Sequence, residues 1–258
     1  MHDGAAAAYS SSMDNELSSE LNPELSSLQN PVAAAAVGAE NVTSFVSRVF
    51  LWMGGGLIVS ALTAAYVGTN DQLYSQLWLQ GGALRWVVLL APLGILLGIQ
   101  FAFLRLSLAS LAALYLAFTF LQGLMLSFVF QQYSSSSIAQ AFGASSAAFI
   151  GAGAVGFVTK RDLSRFRMVL LVGLIGLIAA SIINIFWASS AMYWAITYGG
   201  VVLFTLLTAY DVWWVKKVGQ EMPEGESKQK FAVMGAISLY LDFVNLMLFF
   251  LRIFGGRS

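Results

Sequence analysis

Residues Phe231 to Leu251 read FAVMGAISLYLDFVNLMLFFL: 21 residues with a single charge, Asp242. At 1.5 Å per residue a helix of this length is about 31 Å long, enough to cross the hydrocarbon core of a bilayer. Working outward, six more apolar stretches of similar length precede it. The seven spans run from Ser44 to Val67, Leu84 to Leu104, Leu106 to Phe130, Ile138 to Val158, Met168 to Trp187, Tyr193 to Val215 and Phe231 to Leu251. Spans two and three nearly abut at Arg105. The composition agrees: 58% hydrophobic and 10% charged residues with a mean hydropathy of +0.75, where a water-soluble domain carries about a quarter charged residues. The expected fold is an all-α integral membrane bundle of seven helices over residues 41–258.

Residues 1–40 are of another kind. They hold Asp3, Asp14, Glu16, Glu20, Glu24 and Glu40, no Lys or Arg, and runs of Ser and Ala. With neither a basic start nor an apolar block this is no signal peptide, and a disordered, solvated acidic tail is expected.

Composition also excludes chemistry. Lys plus Arg equals Asp plus Glu at 13 each, so nothing argues for nucleic acid. The chain has no cysteine and its one histidine is His2, which removes disulfides, thiolates, His-based zinc sites and Ser-His or Cys-His nucleophiles. No cofactor and no enzymatic activity are expected. Ten of the thirteen basic residues fall at one end of the alternating spans: Arg48, Arg105, Lys160, Arg161, Arg165, Arg167, Lys216, Lys217, Lys228 and Lys230. By the positive-inside rule that end and the N-terminus face the cytoplasm. Arg252 and Arg257 disagree if span seven crosses fully. Either it crosses or it is re-entrant; 21 residues suffice for crossing. Gly94 and Gly98 form a GxxxG, and Gly151, Gly153, Gly156, Gly199 and Gly200 are expected to let helices pack closely.

Two acids lie inside spans: Asp211 and Asp242. An Asp at the centre of a membrane helix costs roughly 2.5 to 3.5 kcal/mol, so each should have a partner. Asp211 falls about 6 to 9 Å from the end of span six and Asp242 about 12 to 16 Å into span seven, which brings the two carboxyls to similar levels on consecutive helices. Two carboxyls in low dielectric cannot both ionise cheaply, so they should share a proton and titrate as a pair. Deprotonated, the pair attracts a hard cation. Two acids are too few for a tight calcium cage, so weak, transient calcium binding is expected at Asp211 and Asp242, with Thr208 and Asn245 as supporting groups. Arg105 stands at a comparable level and could reach inward.

At these residues the sequence resembles a known family. Ala236–Gly256, AISLYLDFVNLMLFFLRIFGG, is similar to the C-terminal signature of the Bax inhibitor-1 (transmembrane Bax inhibitor motif) family in its bacterial branch. GGVVLFTLLTAYDVWWVKK (Gly199–Lys217), RVFLWMGGGLIVSALTAAYV (Arg48–Val67) and GLMLSFVF (Gly123–Phe130) resemble its other blocks. The resemblance implies seven helices with the last at the centre, a location in the bacterial inner membrane, and a pH-sensitive calcium leak governed by a hydrogen-bonded aspartate pair. Motif for motif, the pair falls on Asp211 and Asp242 and the family's latch arginine on Arg105. An acidic residue that some relatives carry in the second helix is absent between Leu84 and Leu104, where Gly94 lies near its level.

Three further readings compete. A regulatory membrane protein that binds a membrane-anchored protease or stress-response partner is also consistent with the family. Intramembrane aspartyl proteases pair aspartates on adjacent helices but carry GxGD at the second, where this chain has Leu239-Tyr240-Leu241-Asp242. A retinal protein needs a lysine in its last span, and 231–251 has none.

Overall fold

The computed structural model describes residues 31–255, with side chains from residue 41 onward. The described residues separate into two units that part between Phe45 and Val46. The expected acidic tail lies outside the described residues up to position 30, and from Pro31 the backbone is helical.

Seven long helices follow in order: α1 Pro31–Gly68, α2 Ala83–Ala102, α3 Leu108–Gln132, α4 Ser135–Val158, α5 Arg167–Trp187, α6 Ser190–Glu221 and α7 Glu226–Phe254. Each carries a segment long and apolar enough to cross a membrane. This is an integral membrane protein built as a seven-helix bundle. Its tight connections are set by serine caps. Ser107, Ser134 and Ser189 each end one connection and accept the backbone N–H of Ser110, Ser137 and Met192, satisfying donors that the first helical turn leaves open. Ser107 separates α2 from α3, so the second helix stops at Ala102, short of Arg105. The longer α1–α2 connection contains a short helix, Asp71–Tyr74, that continues as a π turn over Ser75–Leu79. Trp78 ties it down by donating from Nε1 to Ser127 Oγ at 2.9 Å.

Helices α6 and α7 run past their apolar spans toward each other. The additions are charged and held by ion pairs one turn apart, Lys217 to Glu221 at 3.9 Å and Lys230 to Glu226 at 3.3 Å, the spacing that supports a helix where no lipid covers it.

The last helix is the core. In its most apolar window 61% of residues are buried, against 6% for α5 and no more than 39% for any other span. Its faces meet different partners. Tyr240 meets α1 and α3: its hydroxyl lies 2.6 Å from Ser60 Oγ, which is also 2.7 Å from the Thr119 carbonyl. Phe243 stacks edge-on against Phe142 and Phe149 of α4. Phe249 seats its ring on Gly200 of α6, where any Cβ would collide with it. α7 crosses fully. Its C-terminal turn reaches the starts of α4 and α6, where Ser137 Oγ donates to the Phe254 carbonyl at 3.3 Å and the Arg252 guanidinium sits 5.7 Å from the Tyr193 ring centroid.

The glycines divide. Gly123 lies against the Ser60 backbone and Gly156 against the Ala209 backbone, which is the close packing small residues permit. Gly94 and Gly98 face nothing within 4 Å, as do Gly151 and Gly199. The expected GxxxG contact is therefore not made: α2 presents that stripe away from its neighbours.

Candidate functional site

Asp211 and Asp242 meet between α6 and α7. Successive turns of the two helices supply four polar side chains to one seam: Thr208 and Asp211, three residues apart on α6, and Ser238 and Asp242, four apart on α7. Residues so spaced share a helix face. The contacts cross the seam. Asp211 lies against Ser238 and Asp242, and Asp242 lies against Thr208. The Thr208 hydroxyl is fully buried and donates to the Phe204 carbonyl at 2.8 Å.

The two acids differ in exposure. Asp242 is only 4% exposed, and its Oδ2 receives no N–H or hydroxyl hydrogen bond. Asp211 is half-buried and faces a cleft of about 500 Å3, whose lining includes Gln100, Phe103, Arg167, Tyr210, Trp214 and Ser238. This vestibule sits at the basic end, between the end of α2, the start of α5 and the α6–α7 seam. Asp242 does not line it. A second cavity of about 490 Å3 lies at the opposite end, walled by residues including Tyr133, Asn184, Tyr193, Leu248 and Arg252. Ser238 and Leu248 are ten residues apart, about 15 Å along α7; Asp242 lies between them, and Phe249, next after Leu248, packs against Phe204 and Gly200. The path is closed.

Other residues singled out in the sequence lie elsewhere. Arg105 is exposed in the α2–α3 connection, makes no ion pair among the described residues and does not line the vestibule. The arginine at that cleft is Arg167, the first residue of α5. Asn245 is half-buried, with its Nδ2 donating to the Leu241 carbonyl of its own helix at 2.8 Å. Among the described residues no three His, Cys, Asp or Glu side chains gather as a metal site. Two carboxyls and two hydroxyls fall short of the six to eight oxygens that calcium prefers. Ser238 went unremarked in the sequence. Its signal was position, one turn before Asp242.

Outside the spans, the α6–α7 connection is strapped across the basic end. Glu224 accepts from Lys228 Nζ at 2.7 Å and from Arg48 Nη2 of α1 at 3.4 Å. Lys228, then Arg48, hold its carboxyl below the usual range. Glu226 Oε1 accepts from the Leu108 N–H at 3.2 Å and so caps the start of α3.

The chain is similar to known proteins. A family model described as "Inhibitor of apoptosis-promoting Bax1" matches residues 42–258. The inner membrane protein YbhL of Escherichia coli strain K12 is 35% identical over 216 residues, 83% of this chain and 92% of its own length. An uncharacterized protein of Borreliella burgdorferi is 35% identical over 214 residues, with the same coverage. One from Caulobacter vibrioides is 36% identical over 221 residues, covering 83% of this chain and 88% of its own length.

Proposed function

We propose that this chain, which belongs to the Bax inhibitor-1 family of membrane proteins, is a non-enzymatic, pH-sensitive cation leak whose permeant species is calcium, gated by the Asp211–Asp242 pair. The observation that carries the reading is the contact between two carboxyls in a seam between two long apolar helices, only one of them facing an open vestibule.

With one proton between them, the protonated carboxyl donates to the other and ties α6 to α7. Loss of that proton leaves two negative charges in contact away from bulk water. They repel one another and favour a cation beside them. The seam then loosens where Asp211 meets the vestibule, and flux rises with pH as the pair ionises. Tyr240 leaves α7 anchored to α1 and α3 on its other face, so the motion belongs to α6. Calcium passes rather than stays, because four protein oxygens do not complete its shell. The basic end and the N-terminus face the cytoplasm of a bacterial inner membrane, as the distribution of lysine and arginine favours.

The test is calcium flux into proteoliposomes of purified protein scanned across pH, comparing the native chain with Asp211→Asn, Asp242→Asn and the double variant. Asparagine cannot ionise, so each single variant should stay at the low-pH level of flux at every pH. The double should add little to either single change, because the two groups act as one unit. Native flux without pH dependence, or no flux above empty liposomes, overturns the proposal.

A further inference from the structure

We propose that the vestibule at the basic end is a lateral site for an anionic phospholipid, with its phosphate on Arg167 and its glycerol and upper acyl region along Phe103, Phe231 and Trp214.

The charge argument begins with what is already paired. At this end Arg48 and Lys228 share Glu224, Lys217 faces Glu221 and Lys230 faces Glu226. Lys216 donates to the Phe157 and Thr159 carbonyls at 2.7 and 3.3 Å, closing the end of α4. Apart from Arg105 and Lys216, the cations at this end without an ion pair among the described residues are Lys160, Arg161, Arg165 and Arg167, all exposed around the α4–α5 connection. The one acid among them, Asp162, accepts the Ser164 N–H at 2.9 Å. Of the four, only Arg167 lines the cleft. A guanidinium at a membrane interface that makes no ion pair among the described residues is suited to a phosphate, which it can bind through two parallel hydrogen bonds.

The walls supply the rest of the ligand's chemistry. The rings of Phe103 and Phe231 meet at 5.2 Å and those of Phe231 and Trp214 at 6.0 Å, making an aromatic row from α2 to α6. Aromatic side chains favour the headgroup level of a bilayer. Leu104, on the same wall, is 91% exposed. The floor, Asp211 and Ser238, repels a phosphate when Asp211 is ionised and so keeps it at the rim. A lipid there covers the mouth through which the carboxyl pair meets water. The binding itself stands whether or not the protein conducts cations.

The experiment uses the full purified chain, delipidated and titrated with phosphatidylglycerol or phosphatidylcholine under native mass spectrometry. Phosphatidylglycerol should be retained about tenfold more strongly, and Arg167→Gln should remove that preference while Arg167→Lys keeps part of it. Arg161→Gln, on the same loop but outside the cleft, should change little. Equal retention of the two lipids, or an equal loss in Arg161→Gln, overturns the site in favour of diffuse attraction to the loop. Millimolar inorganic phosphate should not displace the lipid; displacement would make the site one for free phosphate and overturn the proposal. As a check without substitutions, a phosphatidylglycerol with a diazirine near the top of its acyl chain should label Phe103, Leu104, Trp214 or Phe231 in the native chain. Labelling confined to other helices overturns it.

Discussion

At the scale of single residues, the seam between α6 and α7 rests on groups that cannot be removed singly without leaving another in want. Thr208→Val is close to isosteric but removes a buried hydroxyl that donates to the Phe204 carbonyl and lies against Asp242, and such a loss costs about 0.5 to 1.5 kcal/mol. We expect a thermal midpoint several degrees lower in detergent. In an Asp242→Asn background the same change should cost a different amount, because the two side chains touch. Glycines give a second contrast. A methyl at Gly123 would meet the Ser60 carbonyl oxygen at 2.7 Å, so Gly123→Ala should destabilise by about 1 to 3 kcal/mol as overpacking does. Gly94→Ala meets open space and should be neutral or gain up to about 1 kcal/mol of helix propensity. Thermal unfolding of both variants decides it; equal losses would mean that α2 packs through its GxxxG after all. The two aspartates were legible in the sequence because a charge in an apolar run is costly enough to mark itself. Ser238 was not, since a serine in a membrane helix costs little and gains meaning only from the carboxyl that faces it. Nor could residue type tell Arg167 from Arg105: which one meets the vestibule depends on where α2 ends and where α5 begins.

At the scale of elements, run length made the seven spans readable. Their limits were harder, because the energetic rule changes where lipid ends. Beyond Val215 and before Phe231 the helices continue on ion pairs one turn apart, which hydropathy does not register. The strap across that end has its own pH dependence. Glu224 is held below its usual range chiefly by Lys228 and then by Arg48. A depressed carboxyl contributes stability that is fully present above its unfolded value, 4.5 for an ordinary glutamate, and is lost as pH falls through the lowered value. The Glu224 side chain is 48% exposed, so the contribution is of surface ion-pair size, about 1 kcal/mol. Glu224→Gln should lower the thermal midpoint modestly at neutral pH, and the gap to the native chain should close in acid. A gap that persists unchanged below the lowered value would show that Glu224 acts through packing rather than charge.

At the scale of the whole molecule, the central position of α7 ties topology to orientation. It was implied by family resemblance rather than by composition, since seven apolar runs do not say which is surrounded; burial does, at 61% for α7. A complete crossing by α7 puts its last turn beside the starts of α4 and α6, on the opposite end from the ten basic residues. Arg252 therefore stands against the charge rule, yet its guanidinium is taken up by the Tyr193 and Phe249 rings, 5.7 and 5.1 Å from their centroids. One arginine held this way weighs little against ten at the other end. Because the chain has no cysteine, orientation can be tested against no background. Gln229→Cys, exposed at the basic end, and Ser136→Cys, exposed at the other, should react oppositely with a membrane-impermeant maleimide. In intact spheroplasts only Ser136→Cys should label, and in inverted inner-membrane vesicles only Gln229→Cys. The reverse pattern would put the vestibule and Asp211 on the outer face, so that the carboxyl pair would sense external rather than cytoplasmic pH.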